Sequence, residues 1–390
     1  FTGTERTYQA WNGVPLNYLE NNRTFNYYTY KNEVDDYKQS HYQLHYIKRL
    51  SDITKFNFAI LYTHGEGYYE QEKLQENLLD YGLENIIITN DTIFTTDLIR
   101  RKWLNNDFGG VTYSLNHKMG LIDLVLGGAR NSYSGQHYGN IIWAEYSSNA
   151  NYPHMYYWNK GEKTDNNFYV KVNYKYSEAT NLYIDLQRRM INYNFEGFDN
   201  EGRAAFQEVS LDFFNPKIGL HHYLNKNQYL YASLSIGNKE PNRNDYIESS
   251  PNSRPKHETL YDTEIGFKHI SDKLIIGLNI YHMNYENQLV LTGQINDVGA
   301  NNRTNIDQSY RKGIELEANY KISDKIAWGG NMTLSENKIT SYTSYVDNWD
   351  TGEQEIIKYK NTDLAFSPNT IWTSVFNYKF SEEHSVDFIS

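Results

Sequence analysis

The chain is 390 residues long, carries a formal net charge of −11, and holds 37 Tyr, 17 Phe and 7 Trp but no cysteine. So acidic a chain argues against nucleic acid as a partner, because phosphates are bound by basic surface, and the lack of cysteine excludes a disulfide frame or a thiolate metal site. No apolar run approaches the roughly 20 residues of a membrane helix, which says nothing against a barrel, whose strands need only about 10 residues with one apolar face.

The first clear period-two stretch sets Tyr42, Leu44 and Tyr46 against Gln43 and His45, the alternation of a strand with two unlike faces. Gly67–Thr96 reads as a long polar connection. Within it Leu74, Leu78 and Tyr81 fall at helical spacing before Gly82, predicting a short helix with a glycine stop. Tyr133–Thr164 reads as a second long connection. Strands then follow at Phe168–Tyr176, Leu182–Leu186, Leu230–Ile236, Ile276–Ile280 and Ile314–Ile322. The last has Ile314, Leu316, Ala318, Tyr320 and Ile322 on one face and Glu315, Glu317, Asn319 and Lys321 on the other. Such a strand separates oil from water.

The connections alternate in length. Short ones are expected at Leu50–Thr54, His117–Gly120, Ser177–Asn181, Leu224–Gln228, Ile270–Lys273, Ser323–Lys325 and Ser381–His384. Between them come long polar ones: the two above, then Glu196–Ser210, Lys239–Glu258, Glu286–Asp307 and Glu336–Pro368. About fourteen strands joined short, long, short, long match an antiparallel transmembrane β-barrel with tight turns on one side and loops on the other. The alternative all-β fold, a soluble sandwich, seldom alternates its connections so regularly.

The stretch "FNPKIGLHHYLNKNQYLYASLSIGNKEPNRNDY" (Phe214–Tyr246), followed by "KHETLYDTEIGFKH" (Lys256–His269), resembles the barrel signature of TonB-dependent outer-membrane receptors. "NYENQLVLTGQINDVGANNRTNIDQSYRKGIELEANYKI" (Asn284–Ile322) is similar to the family's next hairpin. "TERTYQAWNGVP" (Thr4–Pro15) and "GQHYGNIIWAEY" (Gly135–Tyr146) look like segments of its Bacteroidota-type branch. Where the family pattern has Lys-Pro-Glu-Thr-Leu, this chain has His257 in place of the proline.

The resemblance implies a 22-stranded barrel in the outer membrane of a Gram-negative bacterium, of which residues 1–390 are part. The N-terminal plug and the terminal barrel strands are expected to lie outside the chain. It implies no cofactor and no enzyme activity, and no GxGxxG, Walker, HExxH or GxSxG element is present to argue otherwise. It implies active import of a scarce nutrient, most often a ferric siderophore or other iron complex, with energy from the TonB complex acting through the plug. Outer-membrane lipid and lipopolysaccharide are implied surroundings, and a surface lipoprotein a possible partner. A SusC-like glycan or a cobalamin importer is the alternative cargo reading, and a secreted carbohydrate-binding or hydrolytic β-protein is the alternative class.

Aromatic loop residues are the expected cargo contacts, because rigid amphipathic rings suit recognition. Tyr68, Tyr69, His137, Trp143, Tyr156, Tyr157, Trp158, Arg243, Tyr246 and Trp349 form that set. His137, Trp143 and Tyr156–Trp158 are read as sharing one long loop. Glu240, Asp245, Glu315 and Glu317 are expected to face the lumen or the plug, with Glu240, Arg243 and Asp245 pairing to neighbouring charges. The acidic loops favour neutral or cationic cargo unless Arg and Lys line the inner pocket; the alternative reading of that charge is loop solubility and divalent-ion bridging to lipopolysaccharide.

Overall fold

The computed structural model describes residues 2–8, 13–89, 91–147, 150–296 and 303–390. Residues 9–12, inside the Thr4–Pro15 stretch, lie outside the described residues. Strands dominate. They begin with β1 (Thr2–Tyr8), β2 (Val34–Ser51) and β3 (Thr54–Asn77). A separate small hairpin, β4 (Ile86–Ile88) with β5 (Asp91–Ile93), precedes β6 (Thr95–Met119) and β7 (Ile122–Ala144). Next come β8 (His154–Lys175), β9 (Thr180–Phe198), β10 (Gln207–Asn225) and β11 (Gln228–Lys239). A five-residue helix, α1 (Arg243–Ile247), leads to β12 (Glu258–Ile270), β13 (Leu274–Leu291), β14 (Arg303–Lys321) and β15 (Ile326–Asn348). The chain closes with β16 (Glu353–Asp363), β17 (Thr370–Lys379) and β18 (Ser385–Ile389).

Sixteen of these strands form one sheet, in which each strand pairs antiparallel with its neighbour in sequence except around the β4–β5 hairpin and β16. Each of the seven expected short connections is a short turn. Two residues suffice between β6 and β7, where Gly120 takes φ +57°, a conformation that costs glycine little. The long connections are shorter than the sequence indicated, because the strands run on past the apolar region. β7 extends to Ala144 and β8 begins at His154, so His137, Trp143 and Tyr156–Trp158 lie on two strands and not in one loop. Leu74 likewise belongs to β3. The helical patch is a single 3-10 turn, Leu78–Tyr81, capped by the Asn77 side chain and stopped by Gly82 in the left-handed region.

The cross-strand register sorts the side chains into two faces. One line of partners runs Ile122, Tyr174, Leu182, Leu220, Ala232, Ile265, Ile280, Ile314, Leu334 across β7 to β15. The next line runs Asp123, Asn173, Tyr183, Gly219, Ser233, Glu264, Tyr281, Gly313, Ser335. The first is apolar and the second largely polar, as period two requires. The apolar line starts beside the turn of β7 and has climbed eight residues up the strand by β15, the stagger of a tilted barrel wall. Leu230, Leu234, Ile265, Ile314 and Leu316 are exposed on that face. Tyr231, Ser233, Ser235, Glu315 and Glu317 lie on the other.

The polar face is the concave one. α1 reaches β7 and β8 through Arg243 and β14 through Asp245. β7 and β14 stand seven places apart in the sheet, about 34 Å if it were flat. The apolar rows occupy the half of each strand next to the short turns. Strands of up to 25 residues exceed the roughly 10 that a bilayer needs, so their far halves stand clear of the apolar band.

Candidate functional site

The far halves of β3, β6, β7 and β8 and the α1 segment enclose a chamber on the concave face. Its walls follow from alternation. On β3, Tyr69 points inward and Tyr68 outward. On β6, Arg100 and Lys102 point inward and Arg101 and Trp103 outward. The register line Tyr69, Lys102, Gly139, Tyr157 crosses the four wall strands. The line beside it, Tyr68, Trp103, Tyr138, Trp158, Phe198, is the outward one. Lys102 lies about 30 Å along β6 from Val111 of the apolar belt, at 3.3 Å per residue.

Tyrosines gather in the chamber, and Tyr81 is also part of a buried apolar cluster with Leu78, Leu83, Leu98 and Ile141, against which Tyr156 packs. Tyr81 and Tyr156 pack with ring centroids 4.8 Å apart, and Tyr156 and Tyr157 at 5.0 Å. Gly139 makes room for them: a side chain there would collide with both rings. Burial raises the pKa of Tyr69, Tyr81, Tyr156 and Tyr157, so all four remain neutral hydroxyls. The Tyr156 hydroxyl is buried and has no hydrogen-bond partner among the described residues.

Three cations stand among these rings. Arg100 donates to Gln71 Oε1 at 2.9 Å and to the Tyr81 hydroxyl at 2.8 Å. Arg243 donates to Asn159 Oδ1 at 2.5 Å and to the Gly135 carbonyl at 3.4 Å. Gly161 leaves space for that guanidinium, since a Cβ there would sit 3.0 Å from its Nη1. Burial, helped by Arg100, holds the Lys102 amine down at about 8. Burial and then the repulsion of Arg243 hold His137 down at about 4, so it is a neutral imidazole near pH 7.

The α1 segment is tied down by charge. Glu240 accepts from Lys163 Nζ at 2.7 Å and from Arg189 Nη1 at 2.8 Å, and Arg189 also bonds Asp165. Burial works against the Glu240 carboxylate, yet these donors hold it at about 2. Asp245 closes the capping box of α1 and forms a two-point ion pair with Arg303. The expected pairing of Glu240 and Asp245 with neighbouring charges is therefore present, whereas Arg243 pairs with amide groups.

Of the ten aromatic and basic residues singled out from sequence, Tyr69, His137, Tyr156, Tyr157 and Arg243 meet in the chamber. The other five do not join them. Tyr68 and Trp158 lie on the outward line, Tyr68 beneath Arg101, whose guanidinium carbon is 4.3 Å from the ring centroid. Trp143 is exposed on the outward side. Trp349 is 92% exposed at the β15–β16 turn. Tyr246 is 1% exposed and packs on Tyr193 and Phe195 as core. Glu315 and Glu317 face inward near the short-turn end, where Asn279 donates to Glu315 and Lys268 pairs with Glu317 at 3.3 Å. His257 packs on Phe213 with ring centroids 5.0 Å apart. Among the described residues no three metal-ligating side chains converge.

Arg100 and Lys102 were missed from sequence. The signal was present: Arg100-Arg101-Lys102 is the only run of three basic residues in the chain. Only the strand phase tells that its outer two members share a face.

The family model described as "TonB dependent receptor-like, beta-barrel" matches residues 1–384. No curated protein matches the chain. Among solved structures, it is similar to the siderophore receptor PiuA from Acinetobacter baumannii, with TM-score 0.64 and 13% identity over 90% of this chain and 54% of that one. It is also similar to the ferric-catecholate import receptor Fiu from E. coli K12, with TM-score 0.60 and 14% identity over 93% of this chain and 54% of that one. The copper transporter OprC gives TM-score 0.61 and 13% identity over 89% of this chain and 58% of that one. The chain thus spans about half the length of these proteins, and at such identities they share its fold.

Proposed function

The chain belongs to the TonB-dependent receptor-like β-barrel family, a family of transport receptors and not of enzymes, and from that premise we propose that it forms the wall of an outer-membrane importer for an iron complex. In this reading the apolar rows face lipid and the extracellular half of the wall holds the cargo. A plug outside these residues links the barrel to TonB, whose energy drives the cargo inward. The observation that carries the reading is the chamber itself. Tyr69, His137, Tyr156, Tyr157 and Arg243, together with Arg100 and Lys102, converge on the concave face beyond the apolar band. A cargo bound there sits at the mouth of the lumen, where an incoming nutrient first meets the protein.

The fold is shared with a copper transporter as well as with siderophore receptors, so the cargo rests on growth. The gene is deleted in its host, and growth is measured with iron supplied as a ferric chelate, as haem or as free salt. The reading expects loss on one iron complex with growth on the salt intact. Equal growth on all three contradicts it and directs attention to cobalamin or glycan.

A further inference from the structure

We infer that the ligand of this chamber is a polyanion, carrying two or three negative charges. This rests on the reading of the chamber as the cargo site, and it runs against the neutral or cationic cargo that the acidic loops alone favour.

The chain has 48 acidic and 37 basic residues, so an average cavity would be acidic. Two other inward arginines have carboxylate partners: Arg189 has Asp165 and Glu240, and Arg303 has Asp245, whereas Arg311 on β14 lies over the Tyr285 ring. Arg101, between the two chamber cations in sequence, pairs with Glu70 at 2.7 Å. Arg100, Lys102 and Arg243 differ in standing together at one end of the wall. Among the described residues none has a carboxylate oxygen within 4.0 Å; the two arginines are held by neutral groups only, Gln71, Tyr81, Asn159 and a carbonyl. Glu76 reaches Arg100 only through the Tyr81 hydroxyl that both bind, and half-buried charge without a directly bonded counterion is unfavourable. An anion that displaces water from the chamber would meet three such charges at once, in a setting where each interaction is stronger than in bulk water.

The remaining groups fit an anion with oxygen acceptors and flat faces. The Tyr156 hydroxyl is a buried donor with no partner among the described residues. The Tyr69 and Tyr157 rings stand on the two sides of the Lys102 row. The glycines at 139 and 161 hold the wall open beside Tyr156, Tyr157 and Arg243. A ferric chelate built from deprotonated aromatic hydroxyls has this chemistry.

The test uses the full-length receptor purified in detergent, with heat-modifiable mobility on gels as the check of folding. Two probes of similar size are titrated: a trianionic ferric tris-catecholate and a neutral ferric tris-hydroxamate. The proposal expects the trianion to bind about tenfold or more tightly than the neutral chelate. Lys102→Gln and Arg243→Gln should each lose about tenfold for the trianion and little for the neutral probe. Tyr157→Ala should weaken whichever probe binds in the chamber. If the neutral chelate binds as tightly and only Tyr157→Ala weakens it, the chamber reading stands and the polyanion is overturned. If the trianion binds but Tyr157→Ala, Lys102→Gln and Arg243→Gln all leave it unchanged, the chamber reading itself fails.

Discussion

Arg243 Nη2 lies 2.5 Å from Asn159 Oδ1, joining the helix after β11 to the wall strand β8, 84 residues earlier in the chain. This bond brings a loop cation into a chamber otherwise built from strands and the 3-10 turn that carries Tyr81. Its place depends on Gly161, two residues further along β8, whose missing Cβ leaves room for the guanidinium. Gly161→Ala should push Arg243 aside while leaving the wall strands paired. The expected result is a severalfold loss in cargo affinity by titration, with unchanged mobility on unboiled gels.

The Glu240 network sets a pH limit on the same loop. Its carboxyl titrates at about 2 in the fold, below the ordinary 4.5. A depressed acid stabilises the folded arrangement above its ordinary pKa and loses that contribution as pH falls towards the folded value. The α1 segment should therefore be protected from amide exchange at neutral pH and open progressively below about pH 4.5. Glu240→Gln leaves Lys163 without its short partner and should loosen the segment by about 1–3 kcal/mol at pH 7. Exchange measured by mass spectrometry reads both.

Lys102 should make cargo binding depend on pH in the alkaline range. Its pKa, about 8 against an ordinary 10.5, is set first by burial and then by Arg100, with Lys73 adding to the depression and Glu201 and Glu76 opposing it. The amine loses its charge as pH rises through about 8. An anionic cargo should bind more weakly at pH 9 than at pH 7, and binding near pH 8 should take up protons. Lys102→Met should flatten the profile. Calorimetry in buffers of different ionisation enthalpy measures the uptake.

Adjacent residues on β14 should respond in opposite ways. Leu316 belongs to the register line Leu230, Phe267, Leu278, Leu316, Met332, Trp372. Leu316→Arg should cost about 2–4 kcal/mol if that line lies near mid-membrane. Glu315→Gln faces the lumen and should assemble normally. Folding yield into lipid vesicles compares the two.

Much of this architecture was legible in the sequence because it rests on period two. The faces of Leu230–Ile236 and Ile314–Ile322 could be read directly, as could the seven short turns, since polarity changes sharply there. The extent of the strands could not. Residues such as Asn159, Gly161 and Lys163 are polar and look like loop, yet they form one inward face of β8, because beyond the apolar band water can wet both sides of the sheet. The chamber was half legible for the same reason. Tyr69, Tyr156 and Tyr157 stood out as aromatic, but nothing local distinguishes Tyr157 from Trp158. The facing depends on register counted from strands tens of residues away, and the bulge at Gly139–Asn140 shifts it. Arg100 and Lys102 needed that count as well.

That neighbouring pair offers the most direct test of the account. Uptake of radioactive iron as the chelate identified by growth is measured in the deletion strain, complemented with full-length receptor carrying Tyr157→Ala or Trp158→Ala, at matched surface levels. If cargo is taken in the inward chamber, Tyr157→Ala should lose most of the uptake and Trp158→Ala should retain it. Equal loss in both, or loss only in Trp158→Ala, would contradict the inward site.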